Sequence, residues 1–159
     1  MLDILFQSLC LFLPILAANQ GPGFAKKWNW PLSNTPVSRR WLGENKTLAA
    51  YYMGPLLGYG VVTLITVGQG GRLAGLAMGL GAVLGDHIKS FFKRRLGKPP
   101  GSPWWPDRID FAVGGGLAAW LTLGWVTWQH VAVIVALAWP VHYVGNKLSH
   151  KLGLRDTPD

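Results

Sequence analysis

Apolar residues fall into long runs that are separated by polar residues, glycine and proline. The runs cover Leu2 to Ala18, Thr47 to Gly68, Leu73 to about Ser90, Phe111 to Trp128 and Val131 to Gly145. A helix needs about 20 mostly apolar residues to cross the hydrocarbon core of a bilayer, and these runs approach that length. The pattern predicts an all-α polytopic membrane protein with about five transmembrane helices in a single domain covering residues 1–159.

The segments between the runs differ in length and charge. Residues 19–47 and 89–110 form long polar connections, whereas 69–72 and 129–130 form tight turns and 146–159 a basic tail. Of the 15 Lys and Arg residues, all but Arg72 lie in the two long connections and the tail. Because basic residues collect on the cytoplasmic side of a membrane, we predict a multi-pass protein of the cell membrane. Its N-terminus is outside, and its C-terminus and active site face the cytoplasm.

Composition supports a membrane protein. Hydrophobic residues make up 50% of the chain and charged residues 14%, against about 25% charged residues in soluble domains. The net charge of +8 is accounted for by the cytoplasmic connections, so we expect no nucleic acid partner. The third run contains Gly75-x3-Gly79 and Gly81-x3-Gly85, which are typical of close helix contacts. These glycine faces predict packing within the chain or, alternatively, a homo-oligomer.

Acidic side chains concentrate where the third run ends and the fourth begins. Asp86, Asp107 and Asp110 are three of only seven acidic residues in the chain. Asp107 and Asp110 share a face if a helix begins there. Carboxylates combined with substrate phosphates are the usual ligands of Mg²⁺, so we predict that the three aspartates bind Mg²⁺. The alternative is that Asp86 pairs with Lys89 while Asp107 and Asp110 cap the fourth helix.

Basic side chains lie beside these carboxylates. Lys93, Arg94 and Arg95 follow the third run directly. Such a group often binds anionic lipid head groups, but a head-group anchor needs no carboxylates. Bases and acids together indicate a site at which phosphate, metal and carboxylate meet.

The same residues carry a family resemblance. Ser90-x-x-Lys93-Arg94 followed by Asp107-Arg108-x-Asp110 resembles the signature of the CTP-dependent lipid cytidylyltransferases. The longer form, Gly85-Asp86-x3-Ser90-Phe91-x-Lys93-Arg94-Arg95-x-Gly97, is similar to the small branch of that superfamily, the CDP-archaeol synthases. Further similar segments are Pro14-x3-Ala18-Asn19, Leu42-Gly43-Glu44-Asn45-Lys46-Thr47 and His142-x3-Asn146. Arg108 departs from the Gln expected in much of the archaeal branch.

The resemblance implies an enzyme that transfers CMP from CTP to a lipid phosphate in the bilayer, releasing pyrophosphate. The implied acceptor is unsaturated archaetidic acid (di-geranylgeranylglyceryl phosphate), and phosphatidate is the alternative. We expect Asp86, Lys93, Asp107 and Asp110 to be catalytic. The expected substrate-binding residues are Asn19, Lys46, Thr47, Ser90, Arg94 and Arg95.

Two other interpretations remain open from the sequence. A small non-catalytic transporter or scaffold would have no use for three clustered carboxylates. A CDP-alcohol phosphotransferase would have more aspartates on two facing helices and no Lys-Arg-Arg run. The sequence leaves open the ether or ester linkage of the lipid and its glycerol stereochemistry.

Overall fold

The computed structural model describes residues 2–66, 71–99 and 102–151. Its helices are α1 (Leu2–Lys27), α2 (Ala50–Thr66), α3 (Arg72–Arg95), α4 (Asp110–Thr122) and α5 (Trp128–Lys151), with a 3₁₀ turn at Trp105–Arg108 before α4. Within these ranges there is no β-strand beyond one isolated bridge between Pro36 and Thr47. The prediction of an all-α fold with five helices is therefore confirmed.

Glycines bring α2 and α3 into backbone contact. Gly58 faces Gly75, and Gly54 faces Gly79, so the two helices run antiparallel. A methyl group added to Gly75 would lie 2.7 Å from the carbonyl oxygen of Gly58, closer than a Cβ atom normally comes to it. Only glycine allows the two backbones to approach this closely.

The second glycine motif of α3 packs against α4 in the same way. Gly81 faces Gly114, and Gly85 faces the backbone of Asp110 and Gly114. The two glycine motifs of α3 are thus used within the chain. The predicted homo-oligomer gains no support from them.

The main core contains buried residues of α1, α3, α4 and α5. Ile15, Met78, Phe111 and Ile134, from α1, α3, α4 and α5 respectively, are almost completely buried. This packing places the C-terminal ends of α1, α3 and α5 at the same end of the bundle as the N-terminal ends of α2 and α4. The connections that carry most of the charge lie at this end, which we call the polar end.

Large apolar side chains cover much of the outside. Leu64 is 79% exposed, Leu73 is 78% exposed and Leu121 is 81% exposed. Among the described helices, α1 is long and apolar enough to cross a membrane by itself, while α2 is a shorter apolar helix. With 13 residues, α4 is only about 20 Å long. The number of membrane crossings and their direction therefore stay predictions.

Several helix ends differ from the predicted ones. The first helix does not end at Ala18 but continues to Lys27, and the third continues past Ser90 to Arg95. The fifth continues past Gly145 to Lys151. In α3 and α5 the backbone stays helical after the side chains become polar, because polar residues are compatible with a helix. In α1 the helix continues even through Gly21, Pro22 and Gly23, where Gly21 packs against Met53 of α2, because tertiary packing outweighs helix propensity.

The predicted turn at Gln129 and His130 is wrong, since both residues lie in the first turn of α5. The chain turns at residues 123–127 instead. His130 Nδ1 accepts a hydrogen bond of 3.1 Å from the Thr127 backbone N–H, which stabilises the start of α5 just after Thr127. The other predicted turn is at 69–72: residues 69 and 70 lie outside the described residues, and Arg72 begins α3.

The contact between α2 and α3 yields a stability prediction. We expect Gly58→Ala to destabilise the protein by about 1–3 kcal/mol because the new methyl group overpacks against the Gly75 backbone. Gly60→Ala is a matched control in the same helix, because a Cβ at Gly60 meets nothing within 4 Å. Thermal unfolding in detergent should show a lower midpoint for Gly58→Ala only. Equal midpoints for the two variants would contradict the described helix contact.

Candidate active site

Six charged side chains meet at the polar end of the bundle. We call this group the carboxylate–lysine cluster, and its members are Lys46, Asp86, Lys89, Lys93, Asp107 and Asp110. Asp86, Lys89 and Lys93 follow one another at spacings of three and four residues, so they share one face of α3. The other members come from the first connection, the 3₁₀ turn and the first residue of α4.

Lys89 lies at the centre of the cluster. Its Nζ is 3.2 Å from Asp86 Oδ1, 2.5 Å from Asp107 Oδ1 and 2.8 Å from Asp110 Oδ2. The Lys89 side chain is only 12% exposed. One ammonium group therefore contacts all three aspartates that the sequence singled out.

Two further lysines contact the outer oxygens. Lys46 Nζ lies 2.5 Å from Asp86 Oδ2, which ties the first connection to α3. Lys93 Nζ lies 2.8 Å from Asp107 Oδ2 and also donates to the backbone carbonyl of Ser102. Three carboxylates thus face three ammonium groups, and the formal charges of the cluster cancel.

Backbone groups fix the two aspartates that precede and begin α4. The Trp104 N–H donates to Asp107 Oδ2 at 2.9 Å, and the Phe111 N–H donates to Asp110 Oδ1 at 2.7 Å. Asp107 therefore caps the 3₁₀ turn, while the N-cap residue of α4 is Ile109, which makes no side-chain capping bond. The alternative that both aspartates cap the fourth helix is wrong, and both contact Lys89 instead.

The lysines keep Asp107 ionised. Burial raises the pKa of the Asp107 carboxyl group, but the hydrogen bonds from Lys89 and Lys93 outweigh this effect, so the pKa lies below its usual value. At neutral pH Asp107 carries a full negative charge.

Asp110 provides a test of whether a metal ion suits the site. Its Oδ2 atom is buried, and the Lys89 ammonium group lies 2.8 Å from it. A buried carboxylate oxygen that is held by one ammonium group can exchange that cation for a hard divalent one, and Mg²⁺ commonly uses one or two carboxylates. Among the described residues, however, no three acidic, His or Cys side chains are arranged to hold a metal as they stand. The donor chemistry fits Mg²⁺, while Lys89 occupies the centre.

The structure brings together five of the predicted site residues: Lys46, Asp86, Lys93, Asp107 and Asp110. The central residue, Lys89, was not among them, because the sequence offered it only as a possible partner of Asp86. Its spacing from Asp86 and Lys93 was the available signal. The contact with Asp107 and Asp110 depends on how α3 packs against α4.

Three other predicted residues have different surroundings. The Ser90 hydroxyl donates to the Asp86 carbonyl oxygen at 2.8 Å, within its own helix. Thr47 is buried and lies in the isolated bridge of the first connection. Asn19 lies inside α1 rather than at a helix end. None of these three side chains contacts a charged group of the cluster among the described contacts. Ser90 contacts only the backbone carbonyl of Asp86.

Arg94 and Arg95 lie in the last turn of α3, beyond the cluster. The Arg95 guanidinium lies 4.3 Å from the ring centre of Trp41 in the first connection. Arg94 and Arg95 line a separate pocket with Arg40 and Trp41. The polar end therefore contains a charge-balanced cluster and, next to it, a purely basic pocket.

Comparison with known proteins identifies the family. The model of a CarS-like family described as CDP-archaeol synthase matches residues 1–158. The chain belongs to the CDP-archaeol synthase family. A CDP-archaeol synthase of Aeropyrum pernix is 34% identical over 166 residues, covering 99% of this chain and 94% of the relative. One of Methanopyrus kandleri is 35% identical over 127 residues, covering 76% and 72% respectively.

A solved structure supports the same assignment. It is described as an intramembrane enzyme for archaeal membrane lipid biosynthesis, with a TM-score of 0.75 and 28% sequence identity. The match covers 89% of this chain and 94% of that chain. The family and this neighbour together indicate that the chain is a membrane protein.

The position of Lys89 yields a second stability prediction. Lys89→Met leaves the buried Asp110 carboxylate without its cation and removes one partner from the partly buried Asp86 and Asp107, and we expect a loss of about 3–5 kcal/mol. Lys27→Met removes an exposed lysine at the end of α1 and serves as the control. Thermal unfolding in detergent with a chelator present should separate the two variants clearly. Unfolding of Lys89→Met at the wild-type temperature would contradict a central role for Lys89.

Proposed function

We propose that this protein is a CTP-dependent cytidylyltransferase that transfers CMP from CTP to an archaeal lipid phosphate, giving a CDP-lipid of the CDP-archaeol type and pyrophosphate. Its family consists of synthases of this kind, which sets aside the transporter, scaffold and phosphotransferase interpretations. The observation that carries the site assignment is the convergence of Asp86, Asp107 and Asp110 on Lys89. These residues come from two helix ends that meet at the polar end of the bundle.

The reaction needs anion binding more than it needs a base. A lipid phosphate oxygen attacks the α-phosphorus of CTP in line, and a new P–O bond forms. The bond from the α-phosphorus to the bridging oxygen breaks, and that oxygen leaves with the electron pair on pyrophosphate. Because the nucleophile is already an anion, no proton has to be removed from it. Two anions must instead be held next to each other.

The lysines of the cluster are suited to that task. Lys46 and Lys93 lie on the two flanks of the cluster, where their ammonium groups can bind phosphate oxygens and stabilise charge that develops on the leaving group. Fixed cations in a partly buried site are worth more than the same charges in water. We therefore assign both residues to binding of the CTP phosphates, as the sequence predicted.

Asp86, Asp107 and Asp110 would hold Mg²⁺ when nucleotide is bound. The ion supplies charge neutralisation and orientation of the phosphates. Asp110 is the strongest candidate ligand because its Oδ2 atom is buried and the Lys89 ammonium, which a metal ion could replace, lies 2.8 Å from it. If Mg²⁺ displaced Lys89 from the centre of the carboxylates, the Lys89 ammonium group would be free to bind a phosphate.

The acceptor that we propose is unsaturated archaetidic acid, and phosphatidate is the second candidate. Arg108, the residue that departs from the archaeal pattern, has its guanidinium 5.0 Å from the ring centre of Trp139 in α5. It packs on a neighbouring helix, and its described contact lies outside the carboxylate–lysine cluster. This placement favours a role near the lipid or in packing over a role at the CTP phosphates.

We propose that the polar end faces the cytoplasm, where CTP is available. The support is the charge bias: nearly all Lys and Arg residues lie in the segments that the structure gathers at this end or in the tail. The membrane and the lipid phosphate then lie on the apolar side of the cluster.

The site predicts the effect of a single isosteric change. Asp107→Asn keeps the shape of the side chain but removes the charge that Lys89 and Lys93 contact. We expect CDP-lipid formation from labelled CTP to fall by about a hundredfold or more, and chelation of Mg²⁺ to abolish the activity of the wild-type enzyme. Asp3→Asn, at the start of α1 and exposed, is the control. Full activity of Asp107→Asn would show that the cluster is not the active site.

The acceptor can be tested with lipids offered in parallel. Purified enzyme with CTP and Mg²⁺ should form a CDP-lipid from an ether-linked isoprenoid phosphatidic acid at a kcat/KM about tenfold or more above that for an ester-linked phosphatidic acid. Tenfold corresponds to about 1.4 kcal/mol, the scale of one or two methylene contacts in an apolar pocket. Preference for the ester lipid would select the second candidate, and no product from either lipid would refute the proposed reaction.

A further inference from the structure

Apolar side chains form an exposed patch where α1 ends and the first connection begins. We call it the aromatic patch, and its members are Phe24, Trp28, Trp30 and Leu32. Their exposed fractions lie between 42% and 59%. Phe24 and Trp28 are one helical turn apart, and their rings stack with 5.4 Å between ring centres. Single exposed apolar residues need no explanation, but several in one short segment indicate an interaction surface.

The backbone at Leu32 is unfavourable for a leucine. Its φ angle is +62°, in the left-handed region that glycine and asparagine adopt far more readily than a bulky side chain does. Two hydrogen bonds hold the turn: the Tyr52 hydroxyl donates to the Pro31 carbonyl at 2.5 Å, and the Ala49 N–H donates to the Leu32 carbonyl at 3.3 Å. The chain therefore keeps a half-exposed leucine in a conformation that costs free energy, which indicates a use for this side chain outside the bundle.

The aromatic patch lies at the boundary between the apolar part of the bundle and its polar end. Gly21 of α1 packs against Met53 of α2, and Ala25 is buried in a small core with the same methionine. Because Met53 lies in the first turn of α2, Phe24 and Trp28 lie close to the level at which that apolar helix begins. In a membrane protein this is the level of the lipid head groups, where tryptophan is enriched.

Two lysines accompany the aromatic patch. Lys26 and Lys27 are exposed and belong to the last turn of α1. Residues 24–32 include no acidic residue, and in the part of the chain that the structure describes neither lysine takes part in an ion pair. Lysines next to aromatic and leucine side chains are the combination that binds the interface of an anionic membrane.

Charge argues against a second copy of the chain as the partner of this surface. In a two-fold contact the same surface patch meets itself, so Lys26 and Lys27 would face the identical lysines of the other copy and repel them. An anionic bilayer surface, in contrast, complements both the lysines and the apolar side chains. The outside of the bundle is already apolar above this level, so the aromatic patch continues a lipid-facing surface.

We propose that the aromatic patch, together with Lys26 and Lys27, anchors the first connection to a bilayer surface that contains anionic lipids. The rings and Leu32 enter the boundary between head groups and acyl chains, and the lysines contact lipid phosphates. Since Lys46 of the same connection reaches Asp86, the anchor helps to hold this connection against the carboxylate–lysine cluster. The proposal concerns attachment to lipid and does not depend on the transferase reaction.

Hydrogen exchange of the full-length protein in bilayer discs tests the anchor. The discs contain phosphatidylcholine alone or phosphatidylcholine mixed with anionic phosphatidylglycerol. We expect the backbone amides of residues 28–35 to exchange about tenfold or more slowly in the anionic discs, because each lysine near an anionic surface strengthens binding by about fivefold. High salt should remove this difference, since it screens exposed charges.

The lysines can be tested one at a time. Lys26→Gln and Lys27→Gln should each reduce the slowing in anionic discs by about fivefold. Arg39→Gln is the matched control, because it removes an exposed positive charge from the same connection whose Nε lies 3.8 Å from Glu44 Oε1. The control should keep the full slowing. Exchange in both lysine variants equal to that of the wild type contradicts a contact with anionic lipid.

Leu32 separates anchoring from folding. Asparagine adopts a positive φ angle more readily than leucine, so Leu32→Asn should unfold in detergent at the wild-type temperature or above it. In anionic discs the same variant should lose about fivefold of the slowing, the scale expected for burying half of a leucine side chain. A stable Leu32→Asn variant with the full wild-type slowing would remove Leu32 from the anchor.

Two outcomes overturn the proposal as a whole. Equal exchange of residues 28–35 in the two kinds of disc means that the aromatic patch does not bind anionic lipid, and leaves it for a protein partner. Slow exchange already in detergent that is lost on dilution assigns the surface to a second copy of the chain. Protein that keeps the effect of anionic lipid but forms no CDP-lipid refutes the transferase reaction and keeps the anchor.

Discussion

One ammonium group, Nζ of Lys89, holds together the charged residues at the polar end of this protein. Three carboxylates at close range in a partly buried site repel one another strongly. Asp110 and Asp107 cannot simply move away from Asp86, because Gly85 brings the backbones of α3 and α4 into contact beside them. A cation at their centre is therefore a condition of the fold as well as a feature of the site.

The glycine contacts thus determine where the charged groups lie. The small-residue face of α3 packs α2 on one side and α4 on the other, and this close approach sets the distance between Asp86 and the start of α4. The first connection is attached to the same helix at two points, through Lys46 at Asp86 and through Trp41 at Phe91. Packing in the apolar part of the bundle determines which charged groups meet at its polar end.

The sequence predicted the type and number of the helices and most members of the cluster. It did not predict where the helices end or that Lys89 lies at the centre of the cluster. Hydropathy marks where side chains leave apolar surroundings, whereas a helix ends where backbone hydrogen bonding ends. For that reason α1 continues past Ala18 and α5 begins before His130. The aspartates were recognisable because acids are rare in this chain. The central role of Lys89 was not recognisable, since it depends on the packing of α3 against α4, and Lys89 and Asp107 are 18 residues apart in the sequence.

Charge balance gives a physical reason for placing lysines among the carboxylates that we propose as Mg²⁺ ligands. Without substrate, the three ammonium groups neutralise the three carboxylates in this partly buried site. On the proposed function, CTP brings its phosphate groups and a divalent cation. Lys89 can then exchange a carboxylate for a phosphate, while the aspartates exchange an ammonium group for the cation. Each charged group therefore keeps an oppositely charged partner throughout.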